Sequence, residues 1–132
     1  MKITSTLKAE HIFRKKIRFD IEELWIAALN SQLEVIEIEM LFRGTATHCP
    51  CHPRDIVRFI CEKNSCFFIL AHSHPSGSPD PSAEDLKITR QILKIGQLVE
   101  IPLLDHLILT RDRAVSLSSR KFFRKLGPAI QT

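Results

Sequence analysis

No apolar run among the 132 residues approaches the roughly 20 needed to cross a bilayer, so a membrane-spanning segment is excluded at the level of sequence. Residues 1–13 are too polar for a secretory h-region, and the protein is expected in the cytoplasm. The chain also lacks internal repeats, low-complexity tracts and any stretch resembling an interdomain linker. A single domain over 1–132 is therefore expected, and 15.1 kDa is enough to build a real core without disulfides. Four cysteines are present (Cys49, Cys51, Cys61, Cys66), but without export they are not expected to form a disulfide framework. Cys61 and Cys66 lie in apolar stretches and read as small core residues. No C-x2-C pair occurs. Thr47-His48-Cys49-Pro50-Cys51-His52 is rich in metal-ligand residue types, yet its C-x-C spacing has no matching second pair. It reads as a loop leading into a helix, with a second soft-metal site as the alternative.

The composition is that of an ordinary soluble globular protein, 44% hydrophobic and 26% charged. The formal net charge is +4 and the pI about 9.0. Basic residues cluster at Arg14, Lys15, Lys16 and Arg18, and again at Arg120, Lys121, Arg124 and Lys125. Clusters of this kind are usually solvated faces; a nucleic-acid surface is the alternative.

Residues 24–29 form a short apolar run and 33–42 alternate between apolar residues and Glu34, Glu37 and Glu39, which predicts a hairpin turning at Asn30-Ser31-Gln32. Pro53 suits the first turn of a helix carrying Ile56, Val57, Ile60 and Cys61, with Asn64 as its stop. The continuous run 67–71 predicts a strand covered on both faces. Residues 75–81 hold three prolines and a glycine and read as a loop. Ser82 is a natural N-cap for a helix striped by Ile88, Ile92, Ile95 and Val99. Strands are expected at 103–109 and 114–117, and a short helix at 119–126. The order β-β-α-β-α-β-β predicts an α/β fold with helices packed on a mixed sheet.

The chemistry concentrates at the end of the buried strand. Side chains alternate along a strand, so His72 and His74 share one face, with Cα atoms roughly 6.6 Å apart at about 3.3 Å per residue. Two imidazoles can converge across that gap onto one Zn²⁺. Asp85 precedes Ile88 by three residues and Ile92 by seven, so it lies on the inward side of its helix and can supply a third ligand. Its position after an N-cap serine also suits the helix dipole, but that does not explain its place on the apolar stripe. Three protein ligands leave room for water, the pattern of a catalytic zinc. Such chemistry needs a general base from a separate element. Glu22 and Glu23 at the start of the first strand are candidates, and Glu34, Glu37 and Glu39 are not excluded.

The spacing His72-Ser73-His74, seven residues, Ser82, two residues, Asp85 resembles the metal-binding pattern of the JAMM/MPN⁺ (JAB) metalloproteases. More closely, the chain resembles the bacterial RadC-like JAB domain. Leu41-Phe42-Arg43-Gly44-Thr45, His52-Pro53-Arg54-Asp55, Ile69 through Gly77, Pro81-Ser82 and Leu104-Asp105-His106-Leu107 stand in the expected order, and the likeness covers about residues 20–118. The resemblance implies a three-layer α/β/α, cytidine-deaminase-like fold and a zinc-dependent peptidase or isopeptidase. It implies His72, His74 and Asp85 as zinc ligands, Glu22 as general base with Glu23 as runner-up, and Ser82 as a group that stabilises the oxyanion or orients the bound water. Ser73 stands where the RadC-like group often has Asn, a departure that does not touch the ligands. Full-length members usually carry an N-terminal helix-hairpin-helix segment, for which this chain leaves no room; a DNA-repair-associated, nucleic-acid-binding role is the alternative function and is weakened accordingly. A peptide or protein is the expected partner, and exposed strand edges permit a homodimer.

Overall fold

The computed structural model describes residues 1–44 and 51–126. Along the chain lie α1 (Thr6–Arg14), β1 (Glu23–Leu29), β2 (Val35–Arg43), α2 (Pro53–Glu62), β3 (Phe67–Ser73), α3 (Ala83–Leu98), β4 (Leu103–Leu109), β5 (Ala114–Ser116), a 3₁₀ turn at Leu117–Ser119 and α4 (Lys121–Leu126). The strands make one five-stranded sheet in the order β2-β1-β3-β4-β5. β3 occupies its centre, antiparallel to β1 and parallel to β4, with α3 as the crossover between the parallel pair. The central position explains the unbroken apolar run, since neither face of β3 meets water.

Two buried clusters flank the sheet. On one face Leu24, Ile26, Phe68 and Leu70 pack with Ile56 and Ile60 of α2, Ile92 and Leu93 of α3, and Phe123 of α4. On the other, Ala27, Leu29, Ile69 and Leu107 pack against Ala9, Ile12 and Phe13 of α1. The expected three layers are thus present, the outer layer on the second face being α1. That helix is absent from the sequence reading. Its signals are weak but physical: Ser5 caps the helix by accepting from the Lys8 N–H at 3.3 Å, and Ala9, Ile12 and Phe13 follow at helical spacing.

Other differences are local. Leu33 belongs to the turn, with φ 64°, and β2 begins at Val35. Asn64 ends α2 as expected, in the left-handed conformation that asparagine tolerates (φ 55°). Cys61 and Cys66 are exposed and free, not core residues, because the buried face of α2 is set by Ile56, Phe59 and Ile60. Residues 47–50 of the Cys/His-rich segment lie outside the described residues.

At Gly96 the segment that follows α3 folds back close against the helix. A Cβ at this position would stand 2.8 Å from the Ile101 carbonyl oxygen and 3.3 Å from Leu103 N. Backbone atoms cannot swing aside as a long side chain can. Gly96→Ala is expected to lower unfolding free energy by about 1–3 kcal/mol in urea denaturation, overpacking outweighing the helix propensity of alanine.

Candidate metal centre

β1 and β3 pair with Leu24 opposite His72, which sets the start of β1 beside the end of β3. The N-terminus of α3 meets them there. His72 and His74 share one face, as their spacing requires. His72 is 2% exposed, and Asp85 reaches both rings from the first turn of α3. His72 Nε2 and His74 Nε2 are 2.8 Å apart; Asp85 Oδ1 is 3.3 Å from the first and Oδ2 3.1 Å from the second. Ligand atoms of a tetrahedral zinc at about 2.0–2.1 Å lie about 3.3 Å from one another, so small side-chain adjustments make this group fit such an ion. Glu22 completes the set: one ligand atom from each of Glu22, His72, His74 and Asp85 lies within 4.8 Å of all the others.

The local sequence explains each placement. Asp85 and Ser82 form a capping box, Ser82 Oγ accepting from the Asp85 N–H at 3.1 Å and Asp85 Oδ2 accepting from the Ser82 N–H at 2.9 Å. One carboxylate thus both caps the helix and faces the two imidazoles. His74 is turned by the loop that follows it. Its Nδ1–H donates to the Ser78 carbonyl at 3.0 Å, since a carbonyl can only accept, and Nε2 is left as a lone pair facing Asp85 and His72. Gly77 makes that loop possible, adopting φ 88° where a side chain would be strained.

Burial works against the charge on Asp85. The Ser82 N–H and the two imidazoles beside it outweigh it and hold the carboxyl well below the usual carboxylate range. Burial also lowers the His74 pKa, but Asp85 and the Ser78 carbonyl raise it further, so the net direction is up. Burial pushes His106, behind His72, down to about 3.

The structure separates the two glutamates that sequence leaves open. Glu23 is fully buried and spoken for. Its Oε1 accepts from the Arg18 N–H (2.9 Å) and Trp25 Nε1–H (3.0 Å), and its Oε2 from Arg43 Nε (2.9 Å) and Nη2 (2.7 Å). Glu23 is not in the converging group; its neighbour Glu22 is half-buried and is. Glu37 pairs with Lys63, and Glu34 sits by Asn30 at the far turn. Ser73 plays a part that its place in the motif does not announce. Its hydroxyl donates to the Ile21 carbonyl at 3.0 Å and accepts from the Glu23 N–H at 3.1 Å, clasping the backbone on both sides of Glu22. An x position inside H-x-H, facing away from the metal group, gave no signal of this.

Burial raises the Glu23 pKa, but those hydrogen bonds outweigh it, and the net shift is below the ordinary 4.5. The group therefore adds stability in full above that value, and the contribution is lost as pH falls through the lower folded value. Glu23→Gln is expected to cost about 1–3 kcal/mol in chemical denaturation at neutral pH and to flatten the acid limb of the stability profile, while leaving the metal group intact.

The family profile of the RadC-like JAB domain matches residues 3–122. The chain belongs to this family. A UPF0758 protein of Acinetobacter baumannii is 30% identical over 131 residues, covering 96% of this chain and 56% of that protein. One from Enterococcus faecalis is 33% identical over 123 residues (92% and 53%), and one from Clostridium kluyveri 41% over 99 residues (75% and 43%). The chain spans about half the length of these relatives. The profile begins well before residue 20, so the RadC-like JAB domain here includes α1. Among the described residues no helix is long and apolar enough to cross a membrane. Of the first basic cluster, Arg14 is consumed by the fold, donating to the Thr110, Arg111 and Arg113 carbonyls, and Arg18 is paired with Asp20.

Proposed function

We propose that this RadC-like JAB domain is a zinc-dependent peptidase or isopeptidase. The observation that supports the reading is the convergence of two imidazole nitrogens and a carboxylate, with a second, half-buried carboxylate alongside. Some members of the JAB family are metalloproteases. His72, His74 and Asp85 would hold the ion. When bound, zinc supplies a site where the pKa of water drops toward about 7 and where a carbonyl is polarised.

The chain's own groups do the rest. Glu22 takes a proton from water at its carboxylate as the water oxygen joins the carbonyl carbon. It then returns that proton to the amine nitrogen as the C–N bond breaks. Ser82 Oγ already accepts from the Asp85 N–H, so its hydroxyl hydrogen is free to donate toward the developing oxyanion. The 75–81 loop carries the Ser78 carbonyl that orients His74.

The test is cleavage of two substrate panels, unstructured peptides and lysine-linked isopeptides, before and after chelation. The expected result is cleavage in one panel that chelation removes and zinc restores. Undiminished cleavage after the metal has been stripped, or none in either panel from zinc-loaded protein, contradicts the proposal.

A further inference from the structure

His106 belongs to a sequence motif that the proposed chemistry does not use, and it lies fully behind His72. His72 Nδ1 is 2.8 Å from His106 Nε2, and His106 Nδ1 is 2.7 Å from Thr89 Oγ1. The Thr89 hydroxyl in turn stands 2.6 Å from the Asp85 main-chain carbonyl oxygen. All three side chains are buried, with relative exposures of 2%, 2% and 0% for His72, His106 and Thr89. No water is needed to complete the chain.

Proton counting sets the direction of every link. The Asp85 carbonyl can only accept, and the hydroxyl of Thr89 has one hydrogen, so Thr89 donates to Asp85. Thr89 Oγ1 must then accept from His106, which puts a proton on Nδ1; the ring is buried between a hydroxyl and another imidazole, with no acidic side chain to hold a second proton, so Nε2 keeps a lone pair. That lone pair can face His72 Nδ1 favourably only if Nδ1 carries a hydrogen. The reverse assignment would set two oxygen lone pairs against each other at 2.6 Å in a buried site, where an unpaired polar group costs about 1–3 kcal/mol.

We infer that Thr89 and His106 are positioning residues that lock His72 in its Nδ1–H form, so that its Nε2 lone pair is presented to the group formed with His74 and Asp85. The relay begins at the backbone of one member of that group, Asp85, and ends on the ring of another, His72. It ties α3, β4 and β3 together at the point where a metal would be held. The inference rests on the metal reading for its consequence, but the proton assignment does not.

Two measurements test it. In the first, nitrogen-15 NMR of the intact protein at neutral pH, chelator-treated and zinc-loaded, reads the tautomer of His106. The Nδ1–H form is expected in both states; an Nε2–H form in either overturns the relay. Should the protein take up no zinc while His106 shows the Nδ1–H form, the assignment stands and the metal reading alone fails. In the second, zinc affinity is measured by competition with a chromophoric chelator. Thr89→Val is expected to lose about 10–100-fold and Thr89→Ser to restore the affinity, because serine keeps the hydroxyl. A purely structural threonine would lower the melting temperature of the valine variant without moving its affinity, and an unchanged affinity overturns the inference.

Discussion

Alanine in place of His72 is expected to take metal content from about one divalent ion per chain to background, and hydrolysis with it. The side chain is buried at the meeting point of β1, β3 and α3, and its Nε2 lies 2.8 Å from His74 Nε2 and 3.3 Å from Asp85 Oδ1. Removing it leaves one imidazole and one carboxylate on that face, too few to fill a tetrahedral site without the ordered backbone moving. A second effect accompanies the first. His106 Nε2 loses its buried partner, which should cost about 1–3 kcal/mol of stability. Metal content by mass spectrometry and unfolding by denaturant read the two separately. A variant that keeps its ion would show that the centre does not depend on this ring.

Glu22→Gln is expected to do the opposite to binding and the same to activity: metal retained, hydrolysis reduced by about 10²–10⁴. Glutamine preserves the shape of the side chain and removes only its capacity to hold and release a proton. Glu22 is half-buried at the strand start, and Ser73 fixes the backbone on both sides of it, so the substitution has little reason to disturb the fold. Zinc titration alongside turnover separates the possible roles. Loss of metal in this variant would make Glu22 a ligand, giving a closed, four-ligand site instead of one with a position for water.

Much of this site was legible before any coordinates. Alternation along a strand is rigid enough that H-x-H after a buried run fixes both rings on one face, and the helical period carries Asp85 toward the sheet from its spacing to Ile88 and Ile92. The hairpin, the two central helices and the mixed sheet were legible for the same reason. What escaped depends on contacts between distant segments. Composition and spacing do not separate Glu22 from Glu23, and the family resemblance only ranks Glu22 first; the approach of Arg43 and the Arg18 backbone shows that Glu23 is committed to structure. Ser73 and Thr89 look like ordinary polar residues until the Ile21 and Asp85 carbonyls are found beside them. α1 was missed because its apolar positions are few and interleaved with polar ones, and its stability comes from packing Phe13 and Ile12 onto the sheet. Cys61 shows the converse error: an apolar neighbourhood in sequence does not decide which side of a helix faces inward.

The most direct test of the account is the metal stoichiometry of the purified protein, measured as isolated and again after chelation and zinc titration. One ion per chain, regained with a single-site isotherm after stripping, is the expected result. Protein that carries no ion and takes up none on titration would contradict it, because His72, His74 and Asp85 would then have converged for some purpose other than holding a cation.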